Sequence, residues 1–210
     1  MTTTIDTTVI SRAIHYGTAT LHEAMGRRGA LPYGIKPISH TMKLAGAATT
    51  VSSPPLDNLM LHQALYVAAP GTVMVVEVNR GYEAGYWGEI MTQAALQRNI
   101  SGLVIDGCVR DADLIEQAGF PVFSRGLSIR GTDKNGGGHI NAPIMIADVT
   151  INPGDLIVGD RDGVVVVPAA EIAATLEASQ KREDKETQIK RELAAGKRTL
   201  EIYGWPPATA

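Results

Sequence analysis

The stretch GYWGEIMTQAALQRNISGLVIDGCVRDADLIE, residues 85–116, decides the fold. Met91, Ala94, Ala95 and the stem of Arg98 fall at helical spacing, whereas Gly102-Leu103-Val104-Ile105 is a short apolar run that stops at the turn pair Asp106-Gly107. The pattern predicts a helix, a buried strand, a tight turn and the start of a second helix. Arg110 and Asp111 then stand just past a strand end and at the mouth of the next helix, where open α/β sheets carry ligands. Gly88 and Glu89 open the earlier helix, whose first backbone N–H groups have no intrahelical acceptor and can take an anion. Helix mouths and charged side chains together make a candidate site.

Working outward, Val73-Met74-Val75-Val76-Glu77-Val78 reads as a buried strand, joined to the opening stretch by a glycine-rich loop at 79–85. Pro121-Val122-Phe123 reads as a further strand. Strand, helix, strand, helix, strand in sequence implies a parallel layered α/β core with right-handed crossovers. Helices are expected at 5–29, with Thr18 or Thr20 as N-cap and Gly26 as stop, and at 58–67; a strand is expected at 42–51. A long polar loop at 124–141 reads as functional or mobile. Strands follow at 143–149 and 154–158, and Asp160-Arg161-Asp162-Gly163 turns into Val164-Val165-Val166-Val167 as a hairpin. From 169 to 195 the pattern is one long helix, charged from Lys181 to Glu192. So polar a helix either projects into solvent or packs on another subunit through a narrow stripe. The tail residues Tyr203 and Trp205 would be exposed aromatics unless something covers them, which favours an oligomer.

A chain of 210 residues suits one sizeable core better than two full domains. We read 1–168 as one α/β domain and 169–210 as a helix and tail that projects into solvent or packs on a neighbouring subunit. A net charge of −3, with no Lys/Arg cluster before residue 181, argues against a nucleic-acid face. The single cysteine, Cys108, asks for no oxidising compartment. The start, MTTTIDTTVISRA, has no basic region followed by an apolar core, and no stretch reaches the length of a membrane span. A cytoplasmic enzyme or binding protein, without membrane or nucleic-acid partners, is the expected class.

Taken together, Glu89, Arg110 and Asp111 offer a carboxylate able to hold a hard divalent cation, a guanidinium able to polarise a carbonyl oxygen, and a second carboxylate able to orient a water as base. The same residues also suit a plain surface Arg and helix-start acids stabilised by the helix dipole. His15, His22, His40, His62 and His139 show no metal-ligand spacing. Cys108 has no histidine as sequence partner and reads as a small core residue. The triplet Gly136-Gly137-Gly138 lacks the preceding strand and following Lys-Ser/Thr of a phosphate loop and reads as a flexible turn.

At these residues the chain resembles the 4-hydroxy-4-methyl-2-oxoglutarate / 4-carboxy-4-hydroxy-2-oxoadipate aldolases, class II pyruvate aldolases sharing the RraA-like fold with regulators of ribonuclease E. The resemblance runs from Thr18-Ala19-Thr20-Leu21-His22-Glu23-Ala24 through Pro54-Pro55-Leu56-Asp57-Asn58, Gly85-Tyr86-Trp87-Gly88-Glu89 and Val104 to Asp111, to the Gly159–Val167 hairpin and the tail. Its most telling motif is an acid, twenty intervening residues, then Arg-Asp, here Glu89 to Arg110-Asp111. The resemblance implies an α/β fold of the layered α/β/β swivelling, phosphohistidine-domain-like kind with a projecting C-terminal helix, assembled as a homotrimer or homohexamer. It implies that Asp111 ligates Mg²⁺ or Mn²⁺, that Arg110 contacts the keto oxygen of a small 2-oxo acid, and that the backbone of Gly88, Glu89, Ile90 and Met91 holds the pyruvyl carboxylate. Glu89 would position a water for proton transfer, and Glu186 from a neighbouring subunit would complete the site. Metal-dependent aldol cleavage to pyruvate, with oxaloacetate decarboxylation, is the implied activity. Non-catalytic regulation of ribonuclease E, or a metal-dependent lyase or decarboxylase acting on another 2-oxo acid, is the alternative. Two departures stand out: these aldolases commonly have Asp where this chain has Glu89, and tails reading Ala-Gly-Glu where it has Ala195-Gly196-Lys197.

Overall fold

The computed structural model describes residues 5–207. Its centre is four parallel strands: β2 (Leu44–Ser52), β3 (Val73–Glu77), β4 (Gly102–Ile105) and β6 (Val122–Ser124) lie in the order β6-β4-β3-β2. The short β1 (Lys36–Pro37) adds antiparallel to β6. On the other side β2 pairs with β11 (Leu156–Asp160), and β11 with β12 (Gly163–Val167), both antiparallel. β2 is nine residues long and serves two partners along one edge: Leu44 to Ala47 face β11, while Val51 and Ser52 face β8 (His139–Ile140). β5 (Cys108–Val109) and β7 (Gly126–Leu127) form a small parallel pair, and β9 (Ile144–Ile146) with β10 (Val149–Ile151) a hairpin.

The helices divide the core in two. α2 (Leu59–Val67), α3 (Glu89–Gln97) and α4 (Ala112–Gln117) are the crossovers of the parallel strands. Their apolar faces join Val73 to Val76, Leu103 to Ile105 and the stacked pair Trp87–Phe120 in the larger cluster. α1 (Thr7–Ala24) and the first turns of α5 (Ile172–Ala194) pack on the far strands through Ala13, Tyr16, Leu21 and Leu176. Leu176 therefore shares a core with Leu156, Val158, Val165 and Val167 of the sheet. Beyond Ser179 no residue of α5 is buried, and α6 (Thr199–Tyr203) follows with Tyr203 stacked on Trp205.

Several expectations shift in detail. The first helix is broken at Gly17, which sits at φ 74°, ψ 169°. The cause lies far along the chain: Asp160, at the end of β11, accepts from the Thr18 backbone N–H (2.8 Å) and hydroxyl (2.7 Å), capping a new helix start. The 124–141 segment is not one loop but carries β7 and β8. The strand expected at 143–149 is the β9–β10 hairpin, reversed through Ala147 at φ 54°.

Tight contacts across the sheet make one test of this packing. A methyl on Gly159 would lie 2.8 Å from Cζ and 3.0 Å from Cε1 of the fully buried Phe123. Gly159→Ala is expected to cost about 2 kcal/mol by overpacking, read as a lower midpoint in urea unfolding.

Candidate active site

Three helix N-termini converge on one cleft. Asn58, Gly88 and Asp111 hold the N-cap positions of α2, α3 and α4, and all three line a hollow of about 240 Å³ with Tyr86, Arg110 and Lys134. None of the three makes a side-chain cap bond to its own helix. Unsatisfied N–H groups and aligned dipoles give such a place a positive field. Arg110 and Lys134 add to it, so part of the cleft can take an anion beside the Asp111 carboxylate.

Asp111 is held in the left-handed region, φ 58°, ψ 38°, which turns its carboxylate away from α4. Its Oδ2 instead accepts from the Glu89 backbone N–H at 3.1 Å and lies 3.9 Å from Arg110 Nε. A plain helix-start Asp would bond within its own first turn; this one reaches across to another helix. Arg110 is anchored by its backbone N–H to the Trp87 carbonyl (2.9 Å), and Trp87 by its indole N–H to the Thr92 hydroxyl (2.8 Å). Gly85 and Gly88 permit this close passage: a methyl on Gly85 would lie 3.1 Å from Arg110 Cβ, and one on Gly88 2.4 Å from Asp111 Oδ2.

Glu89, Arg110 and Asp111 are thus brought together, with the backbone of Gly88, Ile90 and Met91 beside them. Thr92 N–H bonds the Gly88 carbonyl, so the N–H groups of Ile90 and Met91 remain without acceptors among the described residues. Glu186 is elsewhere: it pairs with Arg182 (3.0 Å) on α5 and does not line the cleft of its own chain. Among the described residues no three His, Cys, Asp or Glu side chains are grouped as a metal cage.

Sequence reading missed Asn58, His62 and Lys134. Asn58 stands at the N-cap position of α2, yet its Nδ2 donates to the Tyr86 carbonyl (2.8 Å) and its Oδ1 is the one buried side-chain N or O atom without a partner among the described residues. An orphaned acceptor in a cleft wall has bonding capacity left for a water or a ligand donor. His62 lies one turn along α2; burial, then the Lys134 ammonium, push its pKa down and favour the neutral imidazole. Only the Pro54–Asn58 motif hinted at this wall in the sequence.

Lys134 reaches the cleft because Asp57 ties its loop down. Asp57 accepts from Leu59 N–H (2.9 Å) and Asn135 N–H, while Asn58 N–H bonds the Asp133 carbonyl (3.1 Å). Burial acts to raise the Asp57 carboxyl, but the N–H groups of Leu59, Asn135 and Gly136 and the Lys134 charge outweigh it and hold its pKa low. A lowered folded pKa means stability that is complete above the unfolded value of roughly 3.9 and lost as pH falls through the folded value. Asp57→Asn is therefore expected to destabilise by about 1–3 kcal/mol at neutral pH, with the gap closing near the acid limb. Urea unfolding of both proteins at neutral and acid pH checks this; a gap that does not change with pH removes the carboxylate charge from the account.

An α/β sheet with its cleft at converging helix mouths, and a Glu-Arg-Asp set across them, defines the class of protein. The chain belongs to the RraA-like family: the model described as Aldolase/RraA matches residues 18–166. A relative from Halalkalibacterium halodurans, provisionally named 4-hydroxy-4-methyl-2-oxoglutarate aldolase, is 33% identical over 186 residues, 89% of each chain. A solved structure from Pseudomonas syringae pv. tomato superposes with a TM-score of 0.85 at 32% identity, covering 96% of this chain and 95% of that one. RraAS2 of Streptomyces coelicolor, described as an unusual member of the RNase ES inhibitor RraA protein family, superposes at 0.78 with 25% identity, covering 89% and 98%. No described helix is long and apolar enough to cross a membrane.

Proposed function

We propose that this cleft is the site of a divalent-metal-dependent aldolase that cleaves 4-hydroxy-4-methyl-2-oxoglutarate or 4-carboxy-4-hydroxy-2-oxoadipate to pyruvate plus pyruvate or oxaloacetate, and that also decarboxylates oxaloacetate. The observation carrying the proposal is the Asp111 carboxylate, drawn off its own helix to stand beside Arg110 at the mouth of α3. The names of relatives such as the Halalkalibacterium halodurans protein support it.

The residues fit a hard dication. Asp111 is half-exposed, and the missing Cβ of Gly88 leaves room at Oδ2. One carboxylate with the remaining positions left to water suits Mg²⁺ or Mn²⁺, which dehydrate reluctantly and need no all-protein cage. When bound, such an ion supplies Lewis-acid polarisation of a keto oxygen. The chain supplies the rest. Ile90 and Met91 N–H groups, at the positive end of α3, bind the carboxylate of a 2-oxo acid. The Arg110 guanidinium donates to the keto oxygen and stabilises the charge that grows there as the neighbouring C–C bond breaks. Glu89, on the first turn of α3, holds or releases the proton through a water. Asn58 Oδ1 accepts from a substrate hydroxyl or an ordered water. Lys134 meets the far carboxylate of a diacid.

Glu186 acts in this reading from a neighbouring subunit of a trimer or hexamer. Supporting this, Arg110 and Asp111 also border a second, wider hollow walled by Leu127 and Ile129, which are 61% and 96% exposed. Apolar side chains so bare beside a charged site suit cover by another copy.

The test is pyruvate release from both hydroxy-oxo acids and from oxaloacetate, before and after EDTA and with Mg²⁺ or Mn²⁺ restored. Metal-dependent release supports the reading, and inactivity on every 2-oxo acid with metal present overturns it. The likeness to RraAS2 favours a second reading, regulation of a ribonuclease E-type enzyme. Inhibition of such a nuclease by an aldolase-inactive protein would select it.

A further inference from the structure

The molecule has a second polar hollow, of about 510 Å³, that shares no lining residue with the Asp111 cleft. It opens at the carboxyl ends of three adjacent parallel strands: Ser52 ends β2, Glu77 ends β3 and Asp106 follows β4. This is where parallel α/β sheets hold ligands.

Three groups there have unspent bonding capacity. Asp106 is only 5% exposed, and Arg125 grips it through Oδ1 alone, with Nε and Nη2 both at 2.6 Å. Its Oδ2 takes no hydrogen bond among the described residues. It is not sealed in, since Asn58 Oδ1 is the only buried unpartnered side-chain atom among them, so Asp106 Oδ2 opens onto the hollow it lines. Glu77, by contrast, is engaged by the Ser52 hydroxyl (3.0 Å) and Asn79 N–H.

At the rim stand Arg80 and His139, whose side chains make no ion pair or hydrogen bond among the described residues. Arg80 occupies the second central position of a turn closed by Gly81 N–H on the Val78 carbonyl (2.9 Å), after Asn79 at φ 46° and itself at φ 66°. That turn favours Asn-Gly, and a long side chain at its second position is held against the backbone preference. The arrangement puts the exposed Arg80 and the open Oδ2 of a largely buried Asp106 on the walls of one hollow.

Neither single charge suits this layout. An anion drawn to Arg80 meets the carboxylate of Glu77, and a cation drawn to the free oxygen of Asp106 meets Arg80 and the Arg125 already paired there. A molecule carrying both charges satisfies both ends. We propose that the hollow is a binding site for a small aminocarboxylate zwitterion, its ammonium on Asp106 Oδ2, its carboxylate on Arg80, and its carbon chain against Tyr82 and Ile144. The inference is independent of the aldolase reading.

Titration of the full ¹⁵N-labelled chain with glycine, β-alanine and 4-aminobutyrate, followed by amide shifts, tests it, with propionate and propylammonium as single-charge controls. At least one zwitterion is expected to saturate at millimolar concentration and move the amides of Ser52, Asn79 and His139, with both controls roughly tenfold weaker. Arg80→Gly suits the turn, so it should fold with an unchanged or higher Tm and lose roughly tenfold or more in affinity. No saturable shift with any zwitterion, propionate binding as well as the zwitterions, or unchanged affinity in Arg80→Gly would each overturn the proposal.

Discussion

Asp111→Ala is expected to abolish metal-stimulated pyruvate formation from oxaloacetate and from the hydroxy-oxo acids while the protein stays folded. The Asp111 carboxylate is half-exposed and makes no bond within α4, so little packing is lost with it. What is lost is the carboxylate proposed to hold a dication beside Arg110. Lewis-acid stabilisation of developing charge amounts to several kcal/mol, and each 1.4 kcal/mol is about tenfold in rate, so a drop of roughly a thousandfold or more is expected. Asp111→Asn separates charge from shape. Asn tolerates the left-handed backbone and keeps an oxygen for the Glu89 N–H, so it should keep the wild-type melting temperature yet share the loss. Pyruvate release across a Mg²⁺ titration, beside thermal unfolding, checks both. Either variant turning over at the wild-type rate would remove Asp111 from the proposed role.

Much of the fold was legible because its strands are short unbroken apolar runs between strong turn signals. β3 and β4 fall within a residue of the sequence reading, as does the start of α3. β5, β7 and β8 are two residues each, too short to carry any period, and they exist only because the chain beside them supplies hydrogen bonds. The break at Gly17 was hidden for a related reason. Helical spacing continues on both sides of it, and the cap that splits the helix comes from Asp160, far along the chain. The site was half legible. Glu89, Arg110 and Asp111 announce themselves as charges at helix mouths, whereas Asn58 is a residue type that belongs at a cap and gives no sign in sequence that it does not cap. In the same way, sequence alone does not separate an Asp111 that stabilises the α4 dipole from one that reaches across to the Glu89 N–H.

Gly88→Ala is expected to lower activity by roughly a hundredfold with little change in stability, and the reason separates it from its neighbour Gly85. Gly88 is extended, φ −153°, ψ −167°, a conformation open to any residue, so an added methyl brings no backbone strain. It would stand 2.4 Å from Asp111 Oδ2, 3.3 Å from Arg110 Cγ and 3.4 Å from Arg110 Nε. Those atoms belong to half-exposed side chains rather than to backbone, and such side chains can swing aside at small cost to the fold. The swing takes the carboxylate off the Glu89 N–H and shifts the guanidinium beside it, and a displacement of about 1 Å at reacting groups costs on the order of a hundredfold. At Gly85 the methyl would instead lie 2.5 Å from the Ser128 carbonyl oxygen, which belongs to the backbone and cannot yield. Gly85→Ala should therefore lower the melting temperature, and Gly88→Ala should leave it near wild type while pyruvate formation falls. If Gly88→Ala turns over at the wild-type rate, the placement of the Asp111 carboxylate against α3 does not govern the chemistry, and the cleft's helix-mouth geometry would then serve binding alone.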